Sequence, residues 1–332
     1  MKSIIWSPSR LKKAEHCLAD YYYSYIDKDK RNIPTTAYMS MGNLFHSLME
    51  QFYKDDGSPY FKSKESFAGA AVGQWFRLYV EPGKNRQGKE IKWDFKGQPF
   101  VLKRDIGDIA EVIYEKYSNP NQPRPVKQEH RIKASLDGMQ IQGIMDAILP
   151  FTEEERLVIV DYKSDRFPPG RNRLRYDPQF GLYPLLVGIE LNKNPLFRRQ
   201  LNFPEEEAEK LGGNPILLSS MVKMQFDHLR TGETVQVERT EKDLEKILVS
   251  IKDREEQIGD NNFIRSPGNH CVTCLRKKRC DKDTAEGIEL KLPEANQIEL
   301  FPLAEKQKKS RKRPQKTLRF PKEIDQPQDN KM

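Results

Sequence analysis

Residues Gly143–Asp165 read GIMDAILPFTEEERLVIVDYKSD, and this stretch decides the fold. Met139–Leu149 alternates apolar and polar residues, Leu157–Tyr162 is largely apolar, and a polar stretch separates them. That pattern predicts two strands joined as a hairpin. A turn centred on Glu153-Glu154 sets Asp146 directly opposite Asp161. Cross-strand neighbours on one face have Cβ atoms roughly 5 Å apart. Two carboxylates that close repel each other, and a bound divalent cation reverses the sign of that interaction. Oxygen ligands favour Mg²⁺ or Mn²⁺. Lys163 lies two residues beyond Asp161, so strand alternation puts both on the same face. A lysine there can orient an attacking water and stabilise charge developing on a phosphate, while the metal acidifies the water. An ordinary exposed hairpin can carry the same charges, so the surrounding sequence must decide.

Outward from the hairpin, Val126–Ala134 predicts a third strand, joined to Met139–Leu149 by a turn at Asp137-Gly138. A helix is expected over Gln179–Leu191, then an insertion or loop over 192–215. Two further strands, Ser219–Asp227 and Thr234–Glu238, follow, with Thr231-Gly232 in the turn between them. Thr240 caps a helix over Glu241–Ile258, where Leu244, Ile247, Leu248 and Ile251 recur at helical spacing. Toward the N-terminus, Ser7 caps a helix over Pro8–Tyr25, and a second begins near Gly42 and ends near Tyr53. Residues 57–97 read as helix followed by loop. The order is α/β with a central antiparallel hairpin. No GxxxxGKS or GxxxxGKT phosphate loop occurs, so an ATP-driven motor is not expected.

The chain has 332 residues and a net charge of +8. Pro302–Met332 holds ten Lys/Arg against four Asp/Glu, so six of those eight charges belong to the tail. Such a tail is either a solvated end or a contact for polyanions. In the body, Arg166, Arg171, Arg173 and Arg175 follow the hairpin closely and could hold a single-stranded backbone with salt-sensitive affinity. Tyr21, Tyr22, Tyr23 and Tyr25 could stack on bases, although core packing accounts for them equally well. No apolar run is long enough to span a membrane, and the opening MKSIIWSPSR lacks a signal peptide's apolar stretch. A soluble, cytoplasmic protein is expected.

Four cysteines are present: Cys17 alone, then Cys271, Cys274 and Cys280 in CVTCLRKKRC. One distant and three clustered thiols make a four-ligand set that can hold zinc or an iron–sulfur cluster. Arg276, Lys277, Lys278 and Arg279 would lie beside it and could touch phosphates.

Asp146 followed by Asp161-Tyr162-Lys163 resembles the core motif of the PD-(D/E)xK nucleases. Their RecB-like branch adds a helical histidine upstream, matched by His46 in GNLFHSLME, and a QxxxY element downstream, matched by Gln179 and Tyr183 in QFGLY. The four motifs fall in order over residues 5–285. The resemblance implies a restriction-endonuclease-like α/β core with a central mixed sheet flanked by helices. It implies a metal held by His46, Asp146, Asp161 and the Tyr162 carbonyl, with imidazole tilting the preference to Mn²⁺. Lys163 would be the catalytic cation. Gln179 and Tyr183 would contact DNA, position Lys163 or simply pack. The one-plus-three cysteine pattern resembles AddB-type and CRISPR-adaptation nucleases, which implies a 4Fe-4S cluster tying the ends of the domain together.

The expectation is one nuclease domain over residues 1–290 and a basic, disordered tail over 291–332. The implied reaction is hydrolysis of DNA, as an exonuclease on single strands or ends, in DNA repair, recombination or defence. A separate helicase partner fits the missing motor motifs. The alternative is an inactive DNA-end-binding or clamp-tethered adaptor. For the latter, QIELF at Gln297–Phe301 resembles a peptide that docks on the sliding clamp.

Overall fold

The computed structural model describes residues 4–27, 35–53, 58–85, 88, 90–153 and 156–292. Gln297–Phe301 and the rest of the tail lie outside the described residues. In chain order the elements are β1 (Ile5–Trp6), α1 (Pro8–His16), α2 (Leu18–Tyr21), β2 (Thr35–Thr36), α3 (Ala37–Glu50), α4 (Lys64–Trp75), β3 (Ile91–Lys92) and α5 (Gln98–Tyr117). Then come β4 (Lys127–Leu136), β5 (Met139–Ile148), β6 (Leu157–Lys163), α6 (Arg171–Arg175), α7 (Gln179–Lys193), α8 (Pro195–Gln200), α9 (Glu205–Lys210) and α10 (Pro215–Ser220). The last are β7 (Val222–His228), β8 (Thr234–Val237), α11 (Glu241–Gly259) and α12 (Lys277–Ala285).

The central sheet is mixed and runs β1-β5-β6-β7-β8, with β4 also on β5. Asp137 and Gly138 both take positive φ, the geometry a two-residue turn needs, and β4 and β5 pair from Leu136–Met139 outward. β6 runs parallel to β7 along its whole length. Covered on both faces, it reads as the continuous apolar run LVIV rather than an alternation. Val158, Val160 and Tyr162 pack with Leu44, Phe45, Phe52, Phe67, Trp75 and Ile106 of the α3–α5 layer. Across β5, Gly143 lies against Tyr183 and Leu186 of α7. Gly188 of α7 faces Ser219 and the Pro215 carbonyl so closely that a Cβ would lie 2.5 Å from that oxygen.

Three segments depart from the sequence reading. The helix expected over Pro8–Tyr25 breaks at Cys17, whose backbone is extended at φ −166° and ψ 116°. No Pro or Gly stands there. The Ala19 N–H instead donates to the Ile264 carbonyl at 3.3 Å, and that long-range contact takes the place of helical pairing. Residues 192–215 are not a structureless insertion. They carry α8, α9 and α10, two of them started by the caps Asn194 and Asn214, each followed by proline. The 20-residue α5 was missed, although its buried Leu102, Ile106, Ile109, Ala110 and Ile113 follow helical spacing. Among the described residues no helix is long and apolar enough to cross a membrane.

Candidate active site

β5 and β6 pair as Ala147–Val160 and Ile148–Ile159, the register that sets Asp146 level with Asp161. Beyond that point the strands splay. The Tyr162 N–H turns from strand pairing and donates to Asp146 Oδ2 at 2.8 Å. The carboxylate therefore fills the gap in the ladder and satisfies a buried donor. Asp161 is 1% exposed. Its Oδ1 accepts from Lys163 Nζ at 2.7 Å and from Gln179 Nε2. Its Oδ2 is buried and has no hydrogen-bond partner among the described residues.

α3 brings His46 over the sheet. Its Nδ1 lies 3.2 Å from Asp146 Oδ1 and 3.8 Å from Glu129 Oε1. Donor atoms of His46, Glu129 and Asp146 all lie within 4.8 Å of one another, a spacing that can hold a metal ion. Glu129 was not among the expected metal ligands. It stands opposite Asp146 across the β4–β5 ladder and takes φ 44°, a left-handed conformation costly for a residue with a Cβ. The signal was in the sequence: the Asp137-Gly138 turn sets the register that places it there. Glu50 is exposed and outside this group.

Electrostatics fit a cation. Burial alone would lower the His46 pKa, but the Asp146 charge, the close contact with Asp146 and the nearby Glu129 carboxylate outweigh it and raise the pKa to about 10. Burial would raise Asp146, yet His46, Lys163 and the Tyr162 N–H hold it below the usual carboxylate range. Asp161 goes the other way: burial, helped by the Asp146 charge, pushes it up to about 6 against Lys163 and His46. The imidazolium proton thus supplies positive charge where a divalent ion would sit, and Asp161 Oδ2 is an acceptor still to be filled. The one imidazole and two carboxylates of the His46 group suit Mn²⁺ or Mg²⁺.

Gln179 and Tyr183 lie one turn apart on α7. Gln179 binds Asp161, and the Tyr183 ring rests over Gly143, where a Cβ would come within 2.7 Å of it. Arg173 and Arg175 are exposed on α6, while the side chain of Arg171 lies outside the described residues. Tyr21 and Tyr23 are buried, so the tyrosine run belongs mainly to the core.

The profile of the PD-(D/E)XK nuclease superfamily matches residues 5–281. The chain belongs to that superfamily. Two solved structures are similar to this nuclease-superfamily chain. One is a protein described as a candidate exonuclease from Eubacterium rectale, 12% identical, covering 81% of this chain and 86% of its own, with a TM-score of 0.36. The other is SSO0001, 13% identical, covering 82% of this chain and 95% of its own, with a TM-score of 0.31. Among curated proteins no match was found.

All four cysteines line one cavity of about 520 Å³, with Asp20, Tyr23 and His270 among their neighbours. As the side chains stand, no three of the sulfurs converge as the His46 group does. Burial raises the Cys274 and Cys280 thiol pKa values. Lys277 is paired with Asp281 at 2.6 Å and Arg279 with Asp283 at 2.9 Å, so these two charges are partly spent within α12 rather than free for phosphates.

Proposed function

We propose that the chain is a metal-dependent deoxyribonuclease, acting as an exonuclease on single-stranded DNA or DNA ends. The observation that carries this is the row of Glu129, Asp146 and Asp161 on three neighbouring strands, with His46 above it and Lys163 on Asp161. His46, Glu129, Asp146 and Asp161 would hold the ion, with the Tyr162 carbonyl as a further ligand. When bound, a divalent cation lowers the pKa of water and polarises a phosphodiester. The chain's own groups do the positioning. Lys163 and Gln179 both hold Asp161 Oδ1, so Oδ2, which has no partner among the described residues, is the oxygen that would be offered to the ion. Lys163 is kept protonated: burial lowers its pKa, but Asp161 and Asp146 raise it further. Its ammonium is then a fixed positive charge for a phosphate oxygen. An adaptor would have no use for Lys163 beside three carboxylates.

The test is cleavage of labelled single- and double-stranded DNA with Mn²⁺, comparing anaerobically purified wild type with Lys163→Ala. Wild type should degrade DNA and the variant should not, while both bind it. No cleavage by wild type on any substrate would overturn the reading in favour of an inactive end-binding adaptor. Use of a separate helicase, and docking on the sliding clamp through residues 297–301, belong to the same proposal and are tested by pull-down with and without those residues.

The cysteine cavity supports a second element. We propose that a 4Fe-4S cluster, rather than zinc, ties Cys17 to Cys271, Cys274 and Cys280. What supports it is that the cysteines at both ends of the domain line one cavity. Iron and acid-labile sulfide should be found near four of each per chain, on the order expected for such a cluster. Stoichiometric zinc without iron would reject it.

A further inference from the structure

Between β6 and α7 the chain carries two aromatic side chains that packing does not explain. Phe167 is 73% exposed and Tyr176 is 81% exposed. Single exposed aromatics are ordinary on a protein surface. These two, however, stand on backbone that is pinned at both ends.

At the near end, His228 is buried on β7, and its Nε2 meets the Asp165 carbonyl at 2.7 Å. A carbonyl only accepts, so Nε2 carries the proton and Thr231 Oγ1 donates to Nδ1, 2.8 Å away. At the far end, Arg239 is 7% exposed. Its guanidinium donates to the carbonyls of Leu174, Arg175, Asp177 and Phe180. Burying a guanidinium is costly unless its donors are filled, and here four backbone carbonyls take four of its five N–H groups. Leu174 anchors α6 inward, while the side chains of Arg175 and Tyr176, within the clamped span, face solvent.

The two rings also follow and precede site residues closely along the chain. Phe167 follows Lys163 by four residues and Tyr176 precedes Gln179 by three, and both Lys163 and Gln179 bind Asp161. Exposed arginines accompany the rings, Arg166 just before Phe167 and Arg173 and Arg175 between the two. The Arg166 guanidinium is 5.4 Å from the Phe167 ring centre, and Arg173 and Arg175 project from α6. Exposed rings interleaved with positive charge are what a single nucleic-acid strand needs: faces for its bases and cations for its phosphates. A duplex keeps its base faces inside its own stack and gains only the second.

Building on the nuclease reading above, we infer that Phe167 and Tyr176 are base-stacking posts that hold unpaired DNA bases at the site, with Arg166, Arg173 and Arg175 on the phosphates. The posts bias the site toward single strands.

The test measures binding by fluorescence anisotropy in EDTA, where hydrolysis cannot run. The probes are a short thymidine oligonucleotide and an abasic strand with the same phosphates. Wild type should prefer the thymidine strand. Phe167→Ala and Tyr176→Ala should each weaken its binding roughly ten-fold, within the range alanine substitution of stacking residues produces, and leave the abasic strand unchanged. Tyr176→Phe should keep the preference, and Phe100→Ala, which removes an exposed ring on α5, should alter nothing. Equal binding of the two strands by wild type, or full thymidine affinity in both alanine variants, would overturn the inference. Cleavage with Mn²⁺ is scored separately. Base-dependent binding without cleavage sinks the nuclease reading and leaves the posts standing. Cleavage without base-dependent binding does the reverse.

Discussion

Loading the metal-free protein with Mn²⁺ should release protons in a number set by the site. At pH 8 a His46 with pKa about 10 is about 99% protonated. Its Nδ1 faces Asp146 and Glu129, so an ion bound by those carboxylates must displace that proton or lose the imidazole as a ligand. About one proton should therefore leave per Mn²⁺ at pH 8, and affinity should rise about ten-fold, or 1.4 kcal/mol, per pH unit. Below about pH 6 Asp161 is protonated as well, and a second proton should join the count. In the metal-free protein both groups also tie stability to pH. The raised His46 pKa gives stability that is present below the unfolded value near 6.5 and is lost as pH rises toward about 10. The raised Asp161 pKa likewise favours the fold at low pH and is lost through about pH 6. The assay is isothermal titration of Mn²⁺ in two buffers of different ionisation enthalpy, at pH 5.5 and pH 8. His46→Gln should release almost nothing at pH 8. Tight Mn²⁺ binding to wild type at pH 8 with no proton released would refute the reading of His46 as a ligand that is protonated in the metal-free site, and unchanged Mn²⁺ affinity in His46→Gln would remove it as a ligand.

Glu129→Gln keeps the shape of the side chain and removes its charge. It should weaken Mn²⁺ binding by about ten-fold or more, comparable with losing a partner of a metal ligand, and lower cleavage at limiting metal; unchanged Mn²⁺ affinity by titration would remove Glu129 from the site. Two glycines test the packing in opposite directions. Gly188→Ala drives a Cβ to 2.5 Å from the Pro215 carbonyl and 2.7 Å from the Ser219 nitrogen, so α7 and α10 must part. The expected cost is about 1–3 kcal/mol. Gly69→Ala in α4 meets nothing within 4 Å and should stabilise the protein by about 0.5–1 kcal/mol. Denaturant unfolding of both variants checks the pair, and equal effects would contradict the close packing of α7 on α10.

Local sequence accounts for the hairpin, its register and most of the acidic row. These depend on local rules: two-residue periodicity puts Asp161 and Lys163 on one face, and turn chemistry at Asp137-Gly138 and around Glu153 sets which residues oppose each other. By the same rules Glu129 was legible opposite Asp146, but its left-handed backbone was not. Helix caps at Ser7 and Thr240 were equally local and stand where their spacing put them. Tertiary structure alone decided the break at Cys17, since the carbonyl that holds it open belongs to Ile264. It also decided the clamp of Arg239 on the α6–α7 corner, and it brought Cys17 to the cavity of Cys271, Cys274 and Cys280. Periodicity tells which face of an element is apolar. Which distant faces meet, and which buried donor finds which carbonyl, depends on contacts between residues far apart in sequence, and no local pattern records them.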